Sequence, residues 1–258
     1  MADSGNRIIV LTGASRGIGA AAAREMAAPG ITLALCARTR DACAETRAAV
    51  EAMGAATSTH GFEVADETQA RAAIDDILAE HGRIDVLINN AGSGVMGSLE
   101  EVPPVRFAEI QRINVMGPYN MICAASPSMI ARGEGAIINI TSARAFMPDR
   151  YYAAYCSSKA ALLSMTQCLA YDFEGTGVKI YALSPGFTQT DMVADIYARP
   201  EFKAAALTPD QGQPPERPGK LMAWLAMATP DDLVGKHIEI QFNDISLRAG
   251  LESWQRPD

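Results

Sequence analysis

The feature that most constrains the fold is a regular alternation of short apolar runs with longer alanine-rich stretches. Most of the runs lack in/out alternation, which is typical of parallel strands covered on both faces. The stretches between them, roughly 12–25 residues, are long enough for the crossovers that parallel strands need. We therefore predict an α/β fold with a doubly wound, mostly parallel seven-stranded sheet and helices on both faces. The predicted strands are Arg7–Thr12, Ile31–Cys36, Ala56–Phe62, Ile84–Asn89, Ala136–Thr141, Val178–Leu183 and His237–Phe242.

Length and composition indicate one domain over residues 1–258. A chain of 258 residues with 48% hydrophobic residues can bury one large core. The clearest change in composition is the proline-rich stretch Ala198–Lys220. This stretch is either a surface loop or part of a mobile lid over a substrate, which we place at residues 190–225.

Charge and cysteine content exclude several classes of partner. The formal net charge of −8 disfavours nucleic acid and anionic membranes. The five cysteines are odd in number and form no C-x-x-C pair, which favours a reducing, cytoplasmic location. The three histidines lack ligand spacing, so we expect no metal site. No apolar run approaches the length of a membrane span.

A glycine-rich turn follows the first predicted strand, where residues 7–19 read RIIVLTGASRGIG. Glycines let the backbone approach a phosphate closely, and the helix that follows offers free N–H groups to the anion. Such a cluster can be a plain structural turn, but its place at the first strand-to-helix junction favours a Rossmann-type dinucleotide site. The expected phosphate-side residues are Thr12, Gly13, Ser15, Arg16, Gly17, Ile18 and Gly19.

Tyr155 and Lys159 lie four residues apart in an apolar, alanine-rich stretch that predicts a helix. That spacing puts both side chains on one helix face. A free tyrosine has a pKa near 10, and a nearby ammonium lowers this pKa by stabilising the phenolate. Together with a cationic nicotinamide ring, Lys159 could bring the pKa of Tyr155 towards neutrality. The pair alone is a weak signal, because Tyr and Lys often share a helix face by chance.

Four further motifs accompany this pair in a fixed order. The turn reads T-G-x-x-x-G-x-G, Asn89–Gly92 reads NNAG, Ser142 lies thirteen residues before Tyr155, and Ser184–Gly186 reads SPG. In these motifs, over residues 7–192, the chain resembles the short-chain dehydrogenase/reductase (SDR) family, in its compact single-domain branch. The resemblance implies an oxidoreductase that interconverts a ketone or aldehyde and an alcohol by hydride transfer to or from a nicotinamide cofactor.

The resemblance also implies roles for four residues. Tyr155 would be the general acid in reduction and the general base in oxidation. Ser142 would hold the substrate oxygen near Tyr155. Lys159 would tune Tyr155 and bind the nicotinamide ribose, and Asn114 would support a proton-relay water near the lysine.

The same resemblance places further residues around the cofactor. The ring and ribose would lie on a floor of Asn90, Ala91 and Gly92, and Pro185, Gly186 and Thr188 would lie near the nicotinamide carboxamide. Glu63 and Val64 stand where the family usually has an Asp-hydrophobic pair, so the resemblance implies that they contact the adenine, with Glu63 the longer side chain.

Two arginines point to the phosphorylated form of the cofactor. Proteins that select NAD usually carry an acidic residue at the end of the second strand. Here Ala37 takes that place, Arg38 follows it, and Arg16 precedes Gly17. Guanidinium groups suit a 2′-phosphate, so we expect NADP(H) to be preferred and NAD(H) to be possible. The alternative is that both arginines are solvated surface charges.

The sequence predicts a mostly hydrophobic small molecule as the substrate. The segments expected to face it are apolar and aromatic: Ser93–Met96, Ala143–Tyr152 and Phe187–Phe202. An alternative is a 3-oxoacyl-[acyl-carrier-protein] reductase, which would share the reacting residues. A less favoured alternative is a non-catalytic, nicotinamide-sensing regulator. The helix carrying Tyr155 is apolar on nearly all sides, which predicts burial, and the resemblance implies a homodimer or homotetramer.

Overall fold

Seven parallel strands form the centre of the computed structural model, which describes residues 6–191, 211–252 and 254. The sheet order is β3-β2-β1-β4-β5-β6-β7, and every neighbouring pair is parallel. This arrangement confirms the predicted doubly wound sheet. The strands are β1 (Arg7–Thr12), β2 (Ile31–Ala37), β3 (Ala56–Gly61), β4 (Val86–Asn89), β5 (Gly135–Ile140), β6 (Val178–Ser184) and β7 (His237–Glu239).

Helices cover both faces of the sheet. One face packs against α1, α2 and α7, and the other against α3, α5 and α6. In β1, Leu11 belongs to the first core and Val10 to the second, and both are fully buried. The strand reads as an unbroken apolar run because neither face meets water. The helices are α1 (Gly17–Met26), α2 (Ala44–Ala52), α3 (Glu67–His81), α4 (Pro104–Gln111), α5 (Gly117–Arg132), α6 (Ala153–Asp172), α7 (Glu216–Ala228) and α8 (Asn243–Arg248).

Helix α3 illustrates how local sequence sets the boundaries of these elements. Asp66 caps the N-terminus, and its carboxylate accepts a hydrogen bond from Gln69 N at 3.0 Å. Gly82 ends the helix in the left-handed region, with φ 77°. A cap of this kind satisfies a backbone N–H that has no partner within the helix, and glycine adopts positive φ without steric strain.

Two segments depart from the sequence-based expectation. The predicted run His237–Phe242 is a strand only to Glu239, because a turn closed by Phe242 N and Glu239 O at 3.1 Å leads into α8. The proline-rich stretch predicted to extend to Lys220 becomes α7 from Glu216 onward. Gly219 lets α7 approach α1 closely, since a Cβ there would lie 3.0 Å from Ala22 N. Residues 192–210, which include most of the predicted lid, lie outside the described residues.

Helix α6 is only partly buried in the single chain. Leu162 and Thr166 are buried against the sheet, whereas Ser164 and Cys168 are not. The prediction that this helix is buried on all sides is therefore wrong for one chain by itself, because one face of the helix points away from the sheet. None of the helices in the described ranges is long and apolar enough to cross a membrane.

Candidate active site

A cavity of about 700 Å³ opens at the carboxyl ends of the strands. In a doubly wound sheet this edge is where ligands bind. Most of the predicted cofactor residues line the cavity, and so do both residues of the reacting pair. Those that line it are Gly13, Ser15, Arg16, Gly17, Ile18, Gly19, Arg38, Glu63, Val64, Asn90, Ala91, Gly92, Tyr155, Lys159 and Pro185. Thr12, Asn114, Ser142, Gly186 and Thr188 lie close to lining residues and are considered below.

The phosphate turn, residues 12–19, is held by close backbone packing. Gly13 has φ 66°, and a Cβ there would lie 2.9 Å from Ala91 Cα. A Cβ on Gly19 would overlap the Gly13 carbonyl oxygen and lie 2.6 Å from Asn90 Nδ2. The bare backbone therefore leaves a cradle at the start of α1 that any larger residue would fill. Such a cradle at a helix N-terminus fits a pyrophosphate.

Thr12 supports this cradle from behind. It is buried, and its hydroxyl accepts hydrogen bonds from Asn90 N and Ala91 N, each at 3.0 Å. The Asn90 side chain donates to the carbonyls of Thr12 and Gly13, also at 3.0 Å. These bonds tie the end of β1 to the end of β4 and fix the shape of the turn.

The two arginines predicted to bind a 2′-phosphate have different surroundings. Arg38 is exposed at the end of β2 and lines the cavity. Arg16 forms an ion pair with Asp191, with 3.0 Å between Nη1 and Oδ2. Thr190 and Asp191 line the cavity as well, and the sequence placed both only within the substrate-facing segment Phe187–Phe202. The chain that follows β6 therefore contacts the phosphate turn at this point.

Tyr155, Lys159 and Ser142 come together at the mouth of the cavity. Helix α6 carries the first two, and Ser142 follows β5. Ser142 lies beside Tyr155, near enough to act on the pKa of its phenol. Lys159 is buried and donates from Nζ to Ile140 O at 2.7 Å, and its Nζ lies 5.7 Å from the centroid of the Tyr155 ring. The four-residue spacing therefore places Tyr155 and Lys159 next to each other on one face of α6, as predicted.

The pKa values of this pair depend mainly on burial. Burial raises the pKa of Tyr155 above its ordinary value, while the hydrogen bond with Ser142 opposes the rise. Burial also lowers the pKa of Lys159 to about 8. The expectation that the pKa of Tyr155 is lowered is wrong for the protein alone, because removing water from the phenolate outweighs the stabilisation that neighbouring groups provide.

Asn114 lies in a π-helical segment, Arg112–Met116, between α4 and α5. It is buried, and its Oδ1 accepts from Ser93 N at 2.8 Å. Its Nδ2 donates to Ser93 O at 2.8 Å and to Ser158 Oγ at 2.9 Å. Asn114 therefore connects this segment to α6 and to the chain that follows β4. Single π turns of this kind occur frequently at functional sites.

The turn after β6, residues 185–189, is held by a residue that the sequence did not single out. Gln213 is buried and donates from Nε2 to Pro185 O at 2.5 Å. A Cβ on Gly186, which has φ 72°, would lie 2.7 Å from that nitrogen. Thr188 is also buried, and its single hydroxyl hydrogen is shared between Pro185 O and Gly186 O at 3.3 and 3.2 Å. The 185–189 turn is therefore fixed mainly by contacts outside its own sequence.

The described part of the proposed substrate side combines apolar residues with the ion pair between Arg144 and Asp149, whose Nη1 and Oδ2 lie 2.9 Å apart. Met96, Tyr152 and Cys156 form a buried cluster that packs against Tyr155. Val95 lines the cavity with Met96. Two predicted lining residues, Phe146 and Met147, are 51% and 57% exposed in the single chain. The remaining candidates between Met192 and Phe202 lie outside the described residues.

Comparison with known proteins supports the same class. A model of the short chain dehydrogenase family matches residues 7–201. "Dehydrogenase/reductase SDR family member 7B" of Danio rerio is 33% identical over 196 residues, covering 72% of this chain and 62% of that protein. "Ketoacyl reductase HetN" of Nostoc sp. is 32% identical over 204 residues, covering 79% of this chain and 71% of that protein. The match therefore spans less than two thirds of the Danio rerio protein.

Solved structures agree with the fold. NAD+-bound xylitol dehydrogenase superposes with a TM-score of 0.82 at 25% identity, covering 92% of this chain and 98% of that one. A putative NAD(P) dependent gluconate 5-dehydrogenase from Beutenbergia cavernae with bound NADP gives 0.80 at 29% identity, covering 92% and 95%. The chain belongs to the short-chain dehydrogenase/reductase family.

Proposed function

We propose that this protein interconverts a ketone or aldehyde and an alcohol with NADP(H), using Tyr155 as the acid and base. One observation carries the proposal. Tyr155 and Lys159 line the same cavity as the phosphate turn, and Ser142 lies beside Tyr155. A substrate oxygen bound between the two hydroxyls would therefore be held close to a dinucleotide whose pyrophosphate rests on residues 12–19.

Proton transfer falls to the protein, because the bound cofactor supplies or accepts the hydride. In reduction, Tyr155 donates its phenolic proton to the carbonyl oxygen while Ser142 donates a hydrogen bond to the same oxygen. In oxidation, Tyr155 accepts the hydroxyl proton. The raised pKa of Tyr155 keeps the phenol protonated at neutral pH, which suits its role as an acid.

Lys159 and Asn114 support this proton transfer. The Lys159 ammonium is within reach of the cavity and would bind the nicotinamide ribose while its charge stabilises the phenolate. Asn114 would hold the relay beside it, since its Oδ1 and Lys159 Nζ both lie within 4 Å of the place where a Cβ on Gly92 would stand. The backbone and side chains of Asn90, Ala91 and Gly92 would form the floor below the ring.

The proposed preference for NADP(H) rests on two positively charged side chains, Arg38 and Arg16. Arg38 is exposed at the end of β2 and lines the cavity where an acidic residue would select NAD. Arg16 would join it on the 2′-phosphate after leaving Asp191. Glu63 and Val64 would meet the adenine, and NAD(H) remains the alternative cofactor.

The proposed substrate is a mostly hydrophobic small molecule, which the apolar cluster beside Tyr155 supports. A ketoreductase acting on acyl carriers is the second candidate, and the similarity to "Ketoacyl reductase HetN" favours keeping it. Turnover of a small ketone but not of an acetoacetyl thioester would decide for the first candidate. We also propose a homodimer or homotetramer in a reducing, cytoplasmic location, supported by the exposed face of α6 and by five free cysteines.

Replacing the phenol tests the mechanism. Tyr155→Phe should lower kcat by about 10²–10⁴-fold, the usual contribution of general acid–base catalysis, with little change in dinucleotide affinity. Tyr171→Phe is the matched control, because Tyr171 lies on the same helix and is 75% exposed. Nicotinamide absorbance across a panel of ketones and alcohols provides the measurement. Equal turnover by the Tyr155→Phe variant would mean that the mechanism is wrong, and no turnover by any form would favour the sensing regulator.

Replacing Arg38 tests the cofactor. Arg38→Ala should weaken NADPH binding about tenfold or more, the range for a hydrogen bond to a charged group, and leave NADH binding unchanged. Arg71→Ala, an equal loss of charge on α3, is the control. Titration of both dinucleotides by fluorescence provides the measurement. Equal or tighter binding of NADH by the wild-type protein would contradict the preference for NADP(H).

A further inference from the structure

Gln213 contacts the 185–189 turn at three points. Its Nε2 donates to Pro185 O at 2.5 Å, and its backbone N donates to Phe187 O at 2.9 Å. Its backbone O accepts from Gln189 N at 2.9 Å. One buried residue, placed 24 positions after Gln189 in the sequence, therefore holds both the start and the end of the turn.

Arg217 fixes which way the Gln213 amide faces. A glutamine amide has an oxygen that only accepts and a nitrogen that only donates hydrogen bonds. Arg217 Nε lies 3.2 Å from Gln213 Oε1 and can only donate, so the oxygen must face the arginine. The amide nitrogen is then directed at the Pro185 carbonyl, which can only accept. A reversed amide would place two donors together on one side and two acceptors on the other.

Arg217 is in turn held by the C-terminal segment. Its Nη1 donates to Glu252 O at 2.6 Å, and its guanidinium carbon lies 5.8 Å from the centroid of the Trp254 ring. Both contacts restrict a side chain that would otherwise have many rotamers. The stretch that follows α8 is therefore connected to the 185–189 turn through two side chains, Arg217 and Gln213.

We propose that Gln213 and Arg217 are positioning residues, through which the C-terminal segment sets the 185–189 turn against the nicotinamide end of the cofactor. The inference rests on the proposed function for one premise, that this turn receives the nicotinamide. Neither residue lines the cavity, so both act through the turn. The connection orders the nicotinamide end and leaves the adenosine end, at β2 and the phosphate turn, unaffected.

Gln213→Glu is the most informative variant, because it keeps the contact with Arg217 and removes the hydrogen bond to the 185–189 turn. The new carboxylate keeps Arg217 as a partner and strengthens that contact, but it has no N–H to donate to Pro185 O. We expect the affinity for the preferred dinucleotide to fall about fivefold, the effect of one lost hydrogen bond. The affinity for the ADP-ribose part of the same dinucleotide, with its 2′-phosphate if NADP(H) is preferred, should not change because this fragment lacks the nicotinamide. Gln167→Glu, the same change on an exposed position of α6, is the control.

Arg217→Met and Arg217→Lys form a second pair of variants. The methionine cannot donate, so the Gln213 amide is free to reverse, and amide hydrogen exchange at Gln189 and Gln213 should quicken in the full chain without cofactor. The lysine restores one donor and should return part of the protection. Trp254→Ala should have a smaller effect in the same direction. Thermal unfolding of every variant identifies any general loss of fold.

The outcomes separate the two claims. Unchanged amide hydrogen exchange at Gln189 and Gln213 in Arg217→Met overturns the connection between the C-terminal segment and the 185–189 turn, whether or not the protein binds a cofactor. Faster exchange combined with equal losses for the dinucleotide and ADP-ribose, or with no loss at all, overturns the positioning role. If the wild-type protein binds neither dinucleotide, the proposed function and the positioning role fall together, whereas the exchange result stands by itself.

Discussion

The phosphate turn and the 185–189 turn lie at the same edge of the sheet, but different kinds of contact hold them in place. The phosphate turn is fixed by its own glycines and by Asn90, which lies on the adjoining strand end. The 185–189 turn is fixed by Gln213, which belongs to a different segment and is itself oriented by Arg217. Both turns accept side-chain hydrogen bonds from another part of the chain, but the glycines of the first turn also leave no room for a side chain. The pyrophosphate end of the proposed cofactor site therefore depends on the bare backbone of the turn, and the nicotinamide end depends on a side chain that a third residue orients.

The largest expected effect comes from filling the phosphate turn. In Gly19→Ala, the new methyl would overlap the Gly13 carbonyl oxygen and crowd Asn90 Nδ2. Overpacking of this kind costs up to about 3 kcal/mol, so dinucleotide affinity should fall on the order of 100-fold. Calorimetric titration, together with the melting temperature, measures both consequences.

Gly30→Ala is the matched control for that change. Gly30 has φ 84°, and a methyl group there would meet no other atom within 4 Å, so alanine brings backbone strain without a clash. It should lower stability by about 1 kcal/mol and leave dinucleotide binding unchanged. Full binding by Gly19→Ala would show that the phosphate turn tolerates side chains, and the contrast between the two turns would disappear.

An intermediate effect is expected from pH, which acts on Tyr155 between the two turns. Burial raises the pKa of Tyr155, so the phenol stays protonated through the neutral range. As the base for oxidation, its deprotonated fraction then rises about tenfold per pH unit below that pKa. The value of kcat/KM for oxidation should rise accordingly, while reduction, which uses the protonated form, stays level over the same range.

Initial rates in both directions, at constant ionic strength, provide the measurement. Ser142→Ala removes the hydrogen bond that opposes the rise in pKa, so its oxidation profile should move to higher pH. A level oxidation profile in the wild-type protein would indicate that Tyr155 is already ionised near neutrality, contrary to the effect of its burial.

The smallest effect concerns the ion pair between Arg16 and Asp191, which joins the phosphate turn to the chain beyond the 185–189 turn. The two side chains are 68% and 65% exposed, so the pair contributes little by itself. Asp191→Asn frees Arg16 for a 2′-phosphate and should tighten NADPH binding about twofold, with a weaker effect at high salt. Asp232→Asn, which breaks the exposed pair with Arg248, is the control. Weaker NADPH binding would indicate that Asp191 supports the cofactor.

Sequence patterns predicted the strands and the phosphate turn because both depend on short stretches of chain. An apolar run such as β1 indicates a strand that is buried on both faces. Glycines at a strand-to-helix junction indicate a tight turn, because larger residues would not fit there. The roles of Gln213 and Arg217 could not be predicted, because they depend on hydrogen-bond partners from distant parts of the chain and the sequence around Gln213 contains no motif that indicates them. The raised pKa of Tyr155 in the protein alone was not predicted from the sequence either, since desolvation depends on the whole environment.

The π-helical segment Arg112–Met116 has a consequence for the register of the long α4–α5 unit. Each residue of an α-helix advances about 100° around the axis, and a π turn holds one residue more than an α turn. Deleting one residue from the segment would rotate everything beyond the deletion by about 100° relative to what precedes it. If the deleted residue preceded Asn114, then Asn114 could keep Ser93 and Ser158 as partners only if α4 turned by the same angle, away from its present packing.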